Sequence, residues 1–176
     1  MAIATVRPAT DDDVDAIMAI QDRTWRTAYA GLLPEAAFAS LTSDAARSHW
    51  SDAVHAGEDF HLLVAAEGSE TVGFCAAARY AGADGRSIAE VSTLLVEPRW
   101  GRRGHGGRLL AAAAAALRAS GEDAGRAWVP EADTASRGFY ARAGWEPDGA
   151  VRTLDTGAGT IREVRVSGTL HLQLVE

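Results

Sequence analysis

Between residues 60 and 96 the apolar positions come in three short runs separated by glycine-bearing polar turns. Residues 60–66 and 71–80 each have strand character, with Gly68, Ser69 and Glu70 as the turn between them. A second turn, Gly82-Ala83-Asp84-Gly85, leads into the β-branched run 88–96. This order predicts an antiparallel meander. Upstream the period changes: Val14, Ile17, Met18, Gln21, Trp25 and Tyr29 recur at helical spacing, so most of them should face a core. Thr10 supplies an N-cap for that helix, and Asp11, Asp12 and Asp13 an acidic first turn. A weak alternation over residues 2–8 predicts a strand before it. Gly31 and Pro34 end the helix, and shorter helices are expected over 34–41 and 43–54.

Downstream, an alanine-rich segment predicts a helix over 104–119, with Gly121 as its stop. A short strand carrying Trp128 follows at 125–130. A helix over 133–143 has Asp133 as its cap and Gly144 as its terminator. Residues 145–155 and 160–175 then read as two closing strands around Thr156-Gly157-Ala158-Gly159. The strands at 88–96 and 125–130 are joined by a crossover helix, which lets them run parallel. No repeat or linker interrupts the pattern, so residues 1–176 are expected to form one domain.

Composition narrows the picture. The chain is 47% apolar and 23% charged, ordinary values for a soluble globular protein. A net charge of −7 argues against a general nucleic-acid binder. It would suit a cationic ligand as well as it suits a solvated surface. Cys75 stands alone in an apolar run, so a buried thiol is expected and no disulfide framework. No run is long enough to span a bilayer and no leader or lipidation motif is visible, so the expectation is a cytoplasmic protein without a membrane partner. His49, His55, His61 and His171 show no ligand spacing with Cys75 or one another, and no metal is expected.

The candidate chemistry sits in the turn between the strand at 88–96 and the helix that follows. It holds glycines at 101, 104, 106 and 107 and arginines at 99, 102, 103 and 108. A glycine turn entering a helix exposes unpaired N–H groups and the positive end of the helix dipole. With arginines alongside, it makes an anion cradle suited to phosphate. The dinucleotide fingerprint G-x-G-x-x-G fails for want of a glycine at 109. The Walker loop fails because the chain has no lysine.

Val96, Pro98, Gly104 and Gly106 match V-x-P-x-x-[QR]-x-x-G-x-[GA], so the turn resembles the acetyl-CoA-binding motif of the GNAT acyltransferases. Gly101 stands where Gln or Arg is usual. Residues 133–145 resemble that family's later signature, N-x-x-A-x-x-F-Y-x-x-x-G-F. Phe139, Tyr140 and Gly144 match, Trp145 supplies the aromatic, Asp133 replaces Asn and Ser136 replaces Ala. Residues 25–34 are similar to the segment between the first two helices of many bacterial members. The resemblance covers nearly the whole chain. It implies an α/β (α+β) GNAT fold, a mixed but mostly antiparallel sheet of about seven strands flanked by helices and splayed between strands 4 and 5. Acetyl-CoA, the co-substrate, would lie in the splay.

The resemblance also implies roles. Backbone groups of Leu94, Leu95 and Val96 would hold the pantetheine arm. Amides of Arg102, Arg103, Gly104, His105, Gly106 and Gly107 would hold the pyrophosphate, with the Arg102, Arg103 and Arg108 side chains adding charge. His105 would either meet a phosphate or be a solvated turn histidine. Asp133 would approach the pantetheine, less favourably than an amide would. Tyr140 occupies the position of the general acid. Glu90 is the base candidate, sharing a face with Ser92 and Leu94 by alternation. Glu131 is its backup, and a water chain is the other alternative. Trp25 and Tyr29 would wall the acceptor site. The implied activity is N-acetyltransfer by direct attack of a primary amine on the thioester, the acceptor being a small-molecule amine or a protein amino group. Cys75, without a His or Asp partner nearby in sequence, is a poor covalent nucleophile. A non-catalytic acyl-CoA-binding regulatory module is the alternative, and a nucleotide-binding protein using the same turn a third. Homodimers are frequent in that family, and the sequence leaves the oligomeric state open.

Overall fold

In the computed structural model, which describes residues 4–173, seven strands share one sheet in the order β1-β2-β3-β4-β5-β7-β6. The strands are β1 (Ala4–Pro8), β2 (Phe60–Glu67), β3 (Glu70–Ala81), β4 (Ser87–Val96), β5 (Ala124–Pro130), β6 (Glu146–Asp155) and β7 (Thr160–Thr169). The helices are α1 (Val14–Tyr29), α2 (Glu35–Ala39), α3 (Asp44–Val54), α4 (His105–Ala119) and α5 (Thr134–Arg142). Only β4 and β5 pair in parallel, and α4 is their crossover. The mixed, splayed α/β sheet expected from the sequence is therefore present. No described helix is long and apolar enough to cross a membrane.

Two expected elements end differently. The last strand was expected to reach residue 175, but β7 stops at Thr169 because its neighbour β5 begins at Ala124, the partner of Thr169. Leu170 N–H turns to the Asp123 carbonyl instead, at 2.8 Å. Leu174 and Val175, like Ala2 and Ile3 of the first expected strand, lie outside the described residues. The acidic first turn is also different. Asp11–Asp13 form a short 3-10 turn, and α1 starts at Val14. Asp13 is only 4% exposed. Its oxygens accept both Arg7 Nη groups at 2.7 and 2.9 Å, Thr10 N–H at 2.9 Å and the Thr71 hydroxyl at 3.2 Å. One carboxylate thus ties β1, the start of α1 and β3 together.

Each face of the sheet carries its own core. On one, Leu109, Leu110, Ala113 and Leu117 of α4 and Tyr140 of α5 pack on Cys75, Val91, Ala127, Val129 and Val166. On the other, Ile17, Met18 and Ile20 of α1 and Trp50 of α3 pack on Leu62, Val64, Phe74 and Ala76. A smaller cluster joins Tyr29, Leu33 and Phe38 to Ile161 of β7. Trp145 is fully buried, and glycines make room for it: a Cβ on Gly168 would lie 2.5 Å from its ring. Side-chain contact of that kind is far inside van der Waals distance, so only glycine fits.

Two irregularities shape the middle of the sheet. The parallel pairing of β4 with β5 is limited to Glu90 with Arg126 and Val91 with Ala127. Beyond Val91 the strands part. At that point β4 bulges: Val91 pairs with Ala77 and Thr93 with Ala76, leaving Ser92 as the extra residue. A bulge inverts the face of every residue after it. Ala89, Val91, Leu94 and Val96 therefore all face α4, while Leu95 faces α1.

Burial raises the Asp13 pKa, but the Arg7 and Thr10 hydrogen bonds and the Arg7 charge outweigh it and hold the group at about 2. A carboxyl depressed on folding stabilises the native state above its unfolded pKa, and that contribution is lost as pH falls from about 4 toward 2. Asp13→Asn should therefore be less stable than wild type by about 2 kcal/mol at pH 6. The gap should close near pH 2, as urea unfolding at the two pH values would show. An equal gap at both would mean that Asp13 acts by shape alone.

Candidate active site

From Arg102 to Gly107 no backbone N–H finds an acceptor among the described residues; the hydrogen bonds resume at Arg108, which donates to the Gly104 carbonyl. Gly104 is the N-cap of α4, left-handed at φ 79°, and no side chain caps the helix. An uncapped helix of this length presents its first amides and its positive dipole end to solvent. The backbone here is ready to receive an anion.

The arginines around this cradle differ sharply. Arg99 reaches Glu70 at 3.4 Å. Arg103 lies over the Trp100 ring, 4.7 Å from its centroid, and reaches Glu67 at 3.5 Å. Arg108 folds back onto the Arg103 carbonyl at 3.0 Å. Arg102 is exposed and has no side-chain partner among the described residues. Its φ is 61°, the only positive value at a non-glycine position among them. A left-handed conformation costs an L-residue about 1 kcal/mol. The departure at position 101 is thus paired with a strained arginine next to it, Gly101 itself having an ordinary φ of −58°.

The expectation that His105 is solvated or meets a phosphate through its ring does not hold. The side chain is 1% exposed, and Nε2 lies 2.9 Å from Glu67 of β2. Trp100 packs edge-on against it. His105 fastens the start of α4 to β2, and only its amide remains in the cradle.

The open edge of β4 leads to this cradle. Glu97 N–H donates to the Val72 carbonyl of β3 at 2.8 Å. Backbone groups alternate sides along a strand, so Leu95 also faces β3. Leu94 and Val96 turn theirs toward β5, where no strand pairs with them. Of the residues expected to hold a pantetheine arm, Leu94 and Val96 have free backbone groups and Leu95 does not.

Because of the bulge, Glu90 does not share a face with Leu94; it faces the α1 side. It stands at the closed end of the splay, where its carboxylate accepts Arg126 Nε at 2.8 Å and the Tyr80 hydroxyl at 2.9 Å. Arg126 Nη2 also donates to the Tyr80 oxygen at 2.8 Å. This triad clamps β4 to β5 where their backbone pairing ends. Glu131 is exposed and pairs with Arg162 at 3.0 Å.

Tyr140 packs between Trp145, stacked at 5.5 Å, and Phe139, edge-on at 5.1 Å. It shares the α4-side core with Cys75, Leu94 and Val96. Burial and, less, the nearby Cys75 push its phenol above the ordinary range, and no hydrogen bond offsets them. Burial likewise pushes the Cys75 thiol up to about 12, so it stays protonated. Asp133 caps α5 by accepting Ser136 N–H at 3.0 Å and the Ser136 hydroxyl at 2.7 Å. The two departures in the second motif therefore form one hydrogen-bonded pair.

On the other side of the sheet, Tyr29 is buried with Trp25 edge-on to it at 5.3 Å. Its phenol is raised first by burial and then by the charges of Asp133 and Glu163, and its ring packs with Ile161 of β7. Three residues here, Glu163, Arg152 and Trp128, had no role assigned from the sequence. Glu163 is 7% exposed and accepts Arg152 Nε at 2.6 Å. Arg152 in turn lies 4.4 Å over the Trp128 ring. None sits in a motif; the alternation of β5, β6 and β7 put them on one face, a signal without chemistry attached.

A family model for the acetyltransferase (GNAT) domain matches residues 58–147, half of the chain. Comparison with curated proteins gives no match. Among solved structures, the PaiA N-acetyltransferase of Thermoplasma acidophilum, in complex with coenzyme A, superposes with a TM-score of 0.74 at 21% identity, over 92% of this chain and 98% of its own. The ribosomal-protein-alanine N-acetyltransferase of Brucella melitensis gives 0.75 at 19% identity, over 94% and 99%. YncA of Salmonella typhimurium, with its cofactor acetyl-CoA, gives 0.72 at 18%, over 98% and 96%. At such identities the likeness is one of fold. The family match spans the meander, the glycine turn, α4 and the Phe139-Tyr140 helix, the parts that build the cradle and the splay, and by it this chain belongs to the GNAT acetyltransferase family.

Proposed function

We propose that this protein transfers the acetyl group of acetyl-CoA to a primary amine, of a small molecule or of a protein, by direct attack of the amine on the thioester. The observation that carries this reading is the unpaired run of amides from Arg102 to Gly107 at the head of α4, continuous with the open edge at Leu94 and Val96. A diphosphate joined to an amide-bearing arm satisfies both sets of groups at once. The neighbours solved with coenzyme A and acetyl-CoA support it.

In this reading the amides of Arg102 to Gly107 bind the pyrophosphate, and Arg102 supplies the mobile positive charge. Arg103 and Arg108 hold the turn in shape. Leu94 and Val96 pair with the arm and aim the thioester toward Tyr140, polarising its carbonyl through a backbone amide. As the carbon–nitrogen bond forms and the carbon–sulfur bond breaks, Tyr140 offers its proton to the sulfur. Trp25 and Tyr29 wall the acceptor. Glu90 faces the acceptor side, but Arg126 and Tyr80 already hold its carboxylate, so we assign it the clamp of the splay. Water then takes the proton of the attacking amine.

An acceptor screen following release of the CoA thiol tests the proposal directly, and three variants test its parts. Tyr140→Phe should lower kcat by about a hundredfold with little change in the KM for acetyl-CoA; unchanged turnover would end the general-acid assignment. Arg102→Ala should raise that KM by about tenfold, the loss of one charged hydrogen bond, whereas Arg103→Ala should change it less than about threefold. Equal effects would show that the ion pairs of Arg103 do not keep it from the phosphates. Glu90→Gln should lower the melting temperature by roughly 2–4 °C and leave the shape of the pH–rate profile intact. A lost inflection in that profile would make Glu90 the base after all.

A further inference from the structure

Glu97 closes β4 and opens the phosphate turn, and it is 6% exposed. A carboxylate buried there opposes the positive potential that the turn needs, and such a charge is tolerated only when it is closely paired. None of the turn's own arginines pairs with it. Its partner comes from α1: Arg23 Nε lies 2.9 Å from both carboxylate oxygens, and Nη2 2.6 Å from Oε2. The backbone of Glu97 is equally committed, its N–H to Val72 and its carbonyl to Trp100 N–H, both at 2.8 Å.

Arg23 sits on the helix that also carries Trp25 and Tyr29. At 1.5 Å per residue, Tyr29 is about 9 Å further along the same rod. Arg26 ties that rod to α2 through Glu35 at 2.8 Å and lies 5.1 Å over Phe38. The unit formed by α1 and α2 is thus held to the phosphate turn near the middle of α1 and packs on Ile161 of β7 at its far end. A two-pronged guanidinium–carboxylate contact fixes orientation as well as distance, which a lysine would not.

We infer that Arg23 and Glu97 are a positioning pair that couples the phosphate turn to the acceptor wall, so that coenzyme A on the turn also sets Trp25 and Tyr29 for the amine. This rests on the acetyl-CoA reading above. Neither residue touches the reacting atoms; the pair acts through α1.

Hydrogen exchange with free coenzyme A as the probe tests it. In wild type, saturating coenzyme A should slow exchange both at residues 102–107 and at residues 22–30, the latter by roughly fivefold. Arg23→Met with Glu97→Met replaces the pair by apolar groups and leaves no orphaned charge, so the double variant should stay folded. In it, protection at 102–107 should persist and protection at 22–30 should vanish, with Arg23→Lys in between. Protection at 22–30 that survives the double substitution, or that is missing in wild type while 102–107 respond, overturns the inference. A wild type in which neither segment responds overturns the acetyl-CoA reading, and the inference with it.

Discussion

The pairing of β4 with β5 at only two positions is the constraint on which the rest of the site depends. A parallel pair in the middle of a sheet would normally run its full length and bury every backbone group. Here it ends at Val91 and Ala127. Past that point β4 keeps β3 on one side and has no strand on the other, so Leu94 and Val96 hold backbone donors and acceptors without a partner. Groups of that kind are costly when buried and must be met by water or a ligand. Ser92, the bulged residue, turns the strand as it parts, and the Glu90–Arg126–Tyr80 triad keeps the gap from running further down the sheet.

The head of α4 depends on that gap for its use. An uncapped helix attracts anions anywhere, but here it follows β4 directly, so the exposed amides at 102–107 continue the open edge of the strand. The fastening of the turn lies beneath it: His105 and Arg103 both reach Glu67, and Trp100 packs against both side chains. Of the four arginines that the glycine turn displays in sequence, Arg99 and Arg103 meet carboxylates and Arg108 meets a carbonyl. Arg102 has no side-chain partner among the described residues, and it sits on a backbone conformation that a glycine would adopt without strain.

The departures from the family motifs have structural companions. Gly101 does not use its conformational freedom, while its neighbour Arg102 takes the left-handed position. Asp133 stands where Asn is usual, and Ser136, the other replacement, gives it both a backbone and a hydroxyl hydrogen bond. Each departure reads as damage when taken singly. Taken as pairs, Asp133 and Ser136 form the cap of α5, and Gly101 and Arg102 share the turn between an ordinary and a left-handed backbone.

Periodicity and turn residues alone determined the order and type of the elements, because strand and helix periods and glycine stops are local properties of the chain. The two motifs likewise put a glycine turn and a tyrosine helix on either side of one crossover. What the tertiary structure decided was which side chains are spent on holding the protein together. Alternation counted from Leu94 put Glu90 on the wrong face, since the inserted Ser92 leaves no trace in a pattern of apolar and polar residues. Nothing local shows Glu67 waiting for His105 and Arg103, or Arg126 for Glu90. Arg23 and Glu97 looked like nothing at all, being 74 residues apart. Hydrogen bonds between charged groups are set by distances that only the folded chain creates, and that is why the glycine turn was legible and the partners of its arginines were not.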